Sequence, residues 1–135
     1  MAGQLSTTGA NIALDAATGR ATQTARTVYL ALLTAAPSDA TTVATMTEVT
    51  TSGYSRQAVT FSAPTGDPST SSNTATITFG PFSADPPNVP YAALVSSASG
   101  TGGDLIAYWT ADIARDAANG ESLQVAAGAL ILTLD

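Results

Sequence analysis

The sequence predicts an all-β protein: an antiparallel β-sandwich, Ig-like or jelly-roll-like, with a short N-terminal helix or arm. Short apolar or alternating segments recur along the chain, sequences rich in Gly, Pro and Ser separate them, and only one segment has helical periodicity. At 135 residues the chain is long enough for one hydrophobic core. We therefore expect an N-terminal arm or short helix over residues 1–26 and one β-sandwich domain over residues 27–135.

The N-terminal part carries the helical pattern. Ile12 and Leu14 lie on or beside its apolar face, Thr7 or Thr8 is a suitable N-cap, and Gly19 is a suitable C-terminal stop. An arm without stable structure of its own is the alternative, because Ala-rich arms often become ordered only when they dock. In either form this part is the candidate for gripping a neighbouring subunit, with Ile12 and Leu14 as contacts.

Three segments in the middle of the chain are expected to form strands. Thr27–Ala35 has apolar side chains on both faces, which is typical of an interior strand. Ser55–Ser62 is the next, and Asn73–Phe79 alternates polar and apolar side chains more clearly than any other segment. Ala63–Ser72 is rich in turn residues and is predicted to be a connection.

The C-terminal half predicts a hairpin and a final strand. A Pro-rich loop over residues 81–90 precedes Tyr91–Ser96 and Asp104–Thr110, which flank a Gly-rich tip. A phosphate-binding loop is the alternative for that tip, but no Lys follows it and it leads into a strand. Ser122–Leu134 is the last expected strand, with a bend or bulge at Gly128.

The composition argues against an enzymatic function. The chain has no His, Cys or Lys, which removes the usual general bases, thiol nucleophiles, zinc ligands and Schiff-base amines. We therefore expect no enzymatic activity, no catalytic residue, no cofactor and no metal. The chain has ten acidic residues and only four basic ones, which are Arg20, Arg26, Arg56 and Arg115. These arginines form no stripe that could follow a nucleic-acid backbone, so we expect no nucleic-acid partner.

Calcium is the metal that is hardest to exclude. Five aspartates could converge from loops at one end of a sandwich, although none has the spacing of a known calcium loop: Asp67, Asp85, Asp104, Asp112 and Asp116. The last two, at or near the predicted loop or helical turn Ile113–Gly120, could also form a carboxylate pair. Solvated loop acids are the simpler explanation, because no aromatic-lined sugar cleft accompanies the pair.

The low charge favours assembly. Charged residues make up only 10% of the chain, and a neutral surface loses little hydration when it is pressed against neighbours. The N-terminus lacks the basic and apolar regions of a secretory signal, and no run of about 20 apolar residues occurs. We expect a soluble protein without membrane contact, in the compartment where it is translated.

Three further residues are candidate protein contacts. Arg56 is the one charge inside a strongly β-type run and Tyr54 lies beside it, and both residue types are favoured at interface hot spots. The structural alternative for Arg56 is stacking on a tyrosine or pairing with an acid such as Glu48. Trp109 next to Tyr108 places rings on both faces of a strand, so one ring should be core and the other partly exposed.

Five spaced motifs carry a family resemblance: Val28-Tyr-Leu-Ala-Leu-Leu-Thr34 with Pro37 close behind, Glu48-Val49, Gly53-Tyr-Ser-Arg-Gln-Ala-Val59, Ser72-Asn-Thr74 and Ala126–Asp135. Together they resemble small structural proteins of tailed bacteriophages, variously described as tail-fibre-like, minor tail, head-fibre or capsid decoration proteins. The resemblance covers residues 27–135. The sequence departs from the family pattern between Pro81 and Tyr91, where a Pro-rich loop replaces a segment that usually holds a Trp.

The resemblance implies a β-sandwich module on the virion exterior, made in the host cytoplasm. Our leading hypothesis is a capsid decoration or minor capsid protein that binds the outer surface of the major capsid protein shell, contacts copies of itself and reinforces the shell through many weak contacts. The alternative is a tail-fibre or head-fibre adhesin that recognises a host glycan or protein through Thr65–Ser72 and Ser97–Asp104. The missing signal segment and scarce aromatic residues disfavour a secreted carbohydrate-binding domain.

Overall fold

The computed structural model describes residues 1–86, 88–115 and 117–135 of the chain. Within these residues the chain is mostly β, with paired antiparallel strands and one short helix, so the all-β prediction with a short N-terminal helix is confirmed. The elements are β1 (Gly3–Leu5), α1 (Thr7–Thr18), β2 (Val28–Leu33), β3 (Gln57–Val59), β4 (Ser69–Ser72), β5 (Ile77–Phe79), β6 (Val89–Val95), β7 (Leu105–Arg115), β8 (Leu123–Val125) and β9 (Ile131–Leu134).

The larger sheet has five strands in the order β1-β7-β6-β2-β3. Its interior strand β2, between β6 and β3, is apolar on both faces: Leu30 and Leu32 belong to one core cluster, while Ala31 and Leu33 belong to another. The interior strand expected over Thr27–Ala35 is therefore confirmed. The expected hairpin is confirmed as well, because β6 and β7 pair along most of their length and the Gly-rich tip joins them.

Two ribbons, β4–β9 and β5–β8, form the second layer. Phe79 of β5 and Leu130, just before β9, are fully buried against Leu32 and Trp109 of the larger sheet. The other face of the sheet is covered by the segment that follows β2, whose Val43 packs into the second cluster. The core therefore has two parts, one on each face of the five-stranded sheet.

The C-terminal segment Ser122–Leu134 is not one strand, and this prediction was wrong. It divides into β8 and β9, which belong to different ribbons, and Gly128 lies between them with a φ of +76°. The bend expected at Gly128 is thus confirmed, because glycine adopts this left-handed conformation without a Cβ clash. The alternation of apolar side chains in this segment could not show that the strands before and after the bend pair with different partners.

A single buried amide holds this bend in place. Asn73 is 2% exposed and its Nδ2 donates to the carbonyl oxygens of Ala75 and Ala126, both at 2.9 Å. Its Oδ1 accepts from the backbone N–H of Leu130 at 2.9 Å. The side chain therefore ties the end of β4 to the connection between β8 and β9, and its buried polar atoms are fully hydrogen-bonded.

Other boundaries also differ from expectation. The connection predicted over Ala63–Ser72 contains β4, whose polar residues pair with β9, and only the last part of Asn73–Phe79 is a strand. β7 continues to Arg115, so the predicted loop Ile113–Gly120 is wrong over its first three residues. Asp116, inside that loop, lies outside the described residues. Sequence composition did not reveal β4 because a strand of Ser and Thr resembles a turn sequence.

Candidate functional site

Arg56 and Glu48 form an ion pair at the edge of the five-stranded sheet. Arg56 directly precedes β3, and Glu48 forms a single β-bridge with Leu33 at the end of β2. The guanidinium donates from Nε to Glu48 Oε1 at 2.8 Å and from Nη2 to Oε2 at 2.7 Å. The Arg56 side chain is 4% exposed and that of Glu48 is 21% exposed. The pairing expected as the structural alternative for Arg56 is therefore confirmed.

Tyr54 joins the same network from inside the core. Its ring stacks on Phe79 with a centroid separation of 6.0 Å. Its hydroxyl donates to Glu48 Oε1 at 2.6 Å and accepts from the backbone N–H of Leu32 at 3.0 Å. Because the pairing of β2 with β3 ends at Leu30, the hydroxyl satisfies an N–H that would otherwise lack a strand partner.

The remaining guanidinium donors of Arg56 hold the loop of residues 97–103. Nη1 donates to the carbonyl oxygen of Ser97 at 3.1 Å and to its Oγ at 3.0 Å, and Nη2 donates to the carbonyl oxygen of Gly100 at 2.8 Å. Ser97 Oγ in turn donates to the carbonyl oxygen of Gly102 at 2.7 Å. The tip of the β6–β7 hairpin is thus fastened to the start of β3 by one side chain. We refer to residues 97–103 as the clamped loop.

The electrostatics of this network favour its present protonation states. Burial, followed by the hydrogen bond to Glu48, raises the pKa of the Tyr54 hydroxyl far above its ordinary value. The hydrogen bond to Glu48 is also the main cause that raises the pKa of Arg56. On the other face of the sheet, a hydrogen bond to Asp39 raises the pKa of Tyr108. Tyr54 is therefore held as a neutral donor to a charged carboxylate.

Trp109 is a core residue of the chain. It is 1% exposed, its Nε1 donates to the carbonyl oxygen of Ile131 at 3.1 Å, and its ring stacks on Phe61 with a centroid separation of 6.3 Å. Tyr108 packs on the opposite face and is also buried. The expected placement of the two rings on opposite faces is confirmed, but the expectation that one is partly exposed was wrong. Trp109 therefore offers no surface for a partner in this fold.

Helix α1 begins one or two residues earlier than expected, with Ser6 as its N-cap in place of Thr7 or Thr8. It ends as expected at Gly19, whose φ is +69°. Leu14 is 63% exposed, whereas Ile12 is half-buried. Of the two helix residues expected to make contacts, only Leu14 presents most of its side chain to the outside.

Ser6 attaches the helix to a β-bulge, which sequence reasoning missed. The register between β6 and β7 shifts at Ile106, and this shift leaves two neighbouring carbonyl groups of β7 turned toward the helix. Ser6 N donates to the carbonyl oxygen of Ile106 at 2.9 Å, and Ser6 Oγ donates to that of Leu105. Ser6 Oγ also accepts from the N–H of Gly9 at 3.0 Å. The sequence feature that could have indicated this attachment is the pattern Ser6-x-x-Gly9, a capping residue followed three positions later by glycine.

The candidate contact residues thus fall into three places. Tyr54 and Arg56 share the network behind the clamped loop, Ile12 and Leu14 lie on α1, and Trp109 is in the core. Among the described residues, the large apolar side chains that remain exposed are Leu14, Ile131 and Leu134. An apolar cavity of about 400 Å³ also opens between the two layers; its lining includes Met1, Phe79, Val89, Leu123 and Val125.

Two of the acids considered for calcium are engaged separately from each other. Asp104 pairs with Arg26 at 3.0 Å, and Asp85 Oδ1 accepts from the backbone N–H of Asn119 at 2.7 Å. In the part of the chain that the structure describes, no three His, Cys, Asp or Glu side chains come together as a metal site. Asp116 lies outside that part, and the alternative of a carboxylate pair with Asp112 therefore lies outside it as well.

These features define the class of the protein: a β-rich structural module whose buried polar side chains fasten its own loops and helix. The particular family follows from comparison with known proteins. The family model described as podophage GP4 fiber I protein gp80 matches residues 4–133, so the chain belongs to this family. It is therefore a structural protein of a phage virion, and the resemblance to phage structural proteins is confirmed. Neither the curated proteins nor the solved structures contain a match.

No helix among the described residues is both long and apolar enough to span a membrane.

Proposed function

We propose that this protein is a component of a phage fibre, attached through its surfaces to other virion proteins and to copies of itself. The observation that carries the proposal is the match of the fibre family over residues 4–133. The low content of charged residues supports it, because a chain with only 10% charged residues loses little hydration when it packs against neighbours. The fibre role takes precedence over capsid decoration because the family description names a fibre protein.

The proposed role is a non-catalytic one. The buried polar residues Ser6, Arg56 and Asn73 all have hydrogen bonds within the fold. Tyr54 holds its proton more tightly than an ordinary tyrosine, and its hydroxyl donates a hydrogen bond to Glu48. These side chains serve to hold the fold, so we assign them no reaction, cofactor or metal.

Capsid decoration is the second candidate. Its supporting observation is the small number of large apolar side chains exposed in the described residues: Leu14, Ile131 and Leu134. A patch of this size gives one copy little affinity, so stable attachment would need many copies that bind a repeating surface together. The outer face of a capsid shell made of major capsid protein is such a surface.

A receptor-binding role at the fibre tip has less support. The clamped loop is held in one conformation and is rich in Ser, Thr and Gly, which suits a recognition loop. However, the chain has eight aromatic residues, all within the described part, and none of them is exposed. Glycan binding depends heavily on exposed aromatic rings, so we place this chain in the body of the fibre.

Imaging of intact particles tests the location. Antibody fragments raised against the purified protein are bound to the phage that carries it, and the particles are examined by electron microscopy. We expect label along the fibres. Label spread over the capsid facets would overturn the fibre assignment in favour of decoration, and label only at fibre tips would favour the adhesin.

Binding to host cells gives the matched comparison. Purified protein is incubated with host cells and, separately, with particles that lack it. A fibre-body component is expected to bind the particles and to leave the cells bare. Cell binding that is lost when the clamped loop is replaced would reverse the assignment in favour of host recognition.

A further inference from the structure

Residues 1–18 form a unit that docks on the rest of the chain, and we call it the docking segment. Its first residues pair with the second layer: Ile131 N donates to the carbonyl oxygen of Met1 at 2.9 Å, and Ala2 forms a parallel bridge with Ile131. Its next residues form β1, which pairs with β7 from Ala107 to Trp109. Its helix then docks through Ser6 on the bulge of β7. The segment therefore bridges both layers.

The hydrogen-bond acceptors of the docking site for Ser6 and Thr7 are backbone groups that every copy of the chain presents. The acceptors for Ser6 are the carbonyl oxygens of Leu105 and Ile106, and the partner of Thr7 N is the carbonyl oxygen of Asp39 at 2.9 Å. A Cβ at Gly9 would overlap with the carbonyl oxygen of Ile106, so the helix lies directly against the strand. An identical segment from a second copy would find the same partners.

The connection between the docking segment and the body is long and barely attached. Residues 19–27 are exposed except for the partly buried Ala21. The backbone N–H groups of Arg20 and Ala21 donate back to Asp15, inside the docking segment. The described contact with the body is the surface pair of Arg26 with Asp104. Nine residues can extend to about 30 Å, which is enough to reach a neighbouring molecule.

We propose that the docking segment exchanges between copies, so that in the assembled fibre each copy inserts its β1 and α1 into the docking site of a neighbour. The exchanged form keeps every contact between a docking segment and a body, so the balance depends on concentration and on the connection. Within one molecule the tether supplies an effective concentration on the order of 1 mM. Exchange therefore becomes competitive at the local concentrations of an assembled particle, whereas dilute protein stays closed.

Disulfide trapping tests the exchange, because the chain has no cysteine of its own. Ala2 and Ile131 are bridge partners, and both are exposed, so the double variant Ala2→Cys with Ile131→Cys links the docking segment to whichever body holds it. The control is Thr78→Cys with Gln124→Cys, an exposed pair across β5 and β8, which lie within one body. Both variants are oxidised at several concentrations and run on non-reducing gels.

We expect covalent dimers and larger species of the Ala2/Ile131 variant to increase as the protein concentration rises from about 10 μM to about 2 mM. The control should remain a covalent monomer throughout. Mixing two versions of different tag length should give hybrid species when the mixture is incubated at high concentration before oxidation. Intramolecular disulfides alone at every concentration would overturn the exchange. Failure of the Ala2/Ile131 pair to oxidise, while the control pair does, would contradict the docked position itself.

A shortened connection provides a second test, read by light scattering. Deletion of Thr22–Ala25 removes about 13 Å of reach, which penalises docking within one molecule more than docking on a neighbour. We expect a higher proportion of dimers that retain the circular dichroism of the folded protein. A monomer with a native spectrum would count against exchange. This result is independent of whether the protein lies on the fibre or on the capsid.

Discussion

Arg56 shows how one residue can be a poor candidate for a contact and a good one for positioning. Its five guanidinium donors are shared between Glu48 and the clamped loop, so its charge is neutralised within the fold. The pairing with Glu48 could be predicted from sequence because a lone Arg in a β-type run needs an acid. The link to Ser97 and Gly100 could not, because it depends on how the hairpin tip folds back.

Replacement of Arg56 by Ala is expected to destabilise the protein by about 3 kcal/mol, because Glu48 loses its counter-ion and the loop carbonyl groups lose their donors. Replacement by Lys should destabilise the protein less than replacement by Ala, since Lys keeps the charge but loses the bidentate geometry of the guanidinium. Urea unfolding followed by circular dichroism measures both. Arg20→Ala is the matched control: Arg20 pairs with Asp15 at an exposed position and its loss should leave the midpoint unchanged. Equal effects of the two alanine variants would contradict a structural role for Arg56.

Tyr54 gives an expected dependence of stability on pH. Its pKa in the folded state lies above the ordinary value of 10.0, so the folded protein retains this proton after the unfolded chain has lost it. Stability is therefore fully present below pH 10 and falls as the pH rises beyond it, by about 1.4 kcal/mol per pH unit for this one proton.

Chemical denaturation at pH 8 and pH 11 measures this loss, and Tyr54→Phe should reduce it. The variant should also be less stable at pH 8 by about 1–2 kcal/mol, because the N–H of Leu32 loses its acceptor. Some alkaline loss should remain, since the pKa of Tyr108 is also raised. A variant with the full alkaline loss of the original chain would exclude Tyr54 as its source.

The elements that sequence could predict are those with a pattern of their own. β2 is apolar on both faces, the β6–β7 hairpin has strand sequences on both sides of a Gly-rich tip, and α1 ends at a glycine. β1 could not be predicted because Gly3–Leu5 is too short to show alternation, and its strand state depends on pairing with β7. The bulge that receives Ser6 is likewise a product of register, which the sequence of one strand does not encode.

The docking of α1 gives a prediction in which local propensity and packing oppose each other. Alanine favours helices over glycine by about 1 kcal/mol, so Gly9→Ala should stabilise the helix if the helix stood alone. In this fold the new Cβ would overlap with the carbonyl oxygen of Ile106, so we expect a net loss of about 2 kcal/mol. Thermal unfolding measures the sign.

Asn11→Ala is the control for the helix, because Asn11 is exposed on the same element. This change should raise stability by a few tenths of a kcal/mol. Stabilisation by both alanine variants would show that α1 does not lie against β7 as described.

At the scale of the whole molecule, the two-layer arrangement was predictable in class and not in detail. The spacing of strand and turn sequences indicated an all-β fold with antiparallel strands, whereas the division of the second layer into two ribbons depends on the bend at Gly128 and on the amide of Asn73. For the contact surface, composition indicated neutrality, but burial removed Trp109 and Arg56 from it. Long-range strand pairing decides how the second layer divides and which side chains are buried, and a single sequence contains little information about that pairing.

The scarcity of charge predicts how the protein should stay attached to the particle. If attachment depends on neutral and apolar surface, salt should not release it, because screening acts on charged pairs. We expect the protein to remain with sedimented particles from about 0.1 M to about 1 M NaCl. Progressive release over this range, measured by immunoblotting of the supernatant, would indicate attachment through ion pairs instead.

The bulge of β7 has a consequence for the evolution of this family. Because Ser6 binds main-chain oxygens, the side chains of Leu105 and Ile106 can change without loss of the helix attachment. Selection then constrains two positions: position 6 needs a side chain with a hydroxyl or amide group, and position 9 needs a residue without a Cβ. Distant homologues are expected to preserve that short spacing even where other apolar side chains replace Leu105 and Ile106, which would make it a usable marker of descent.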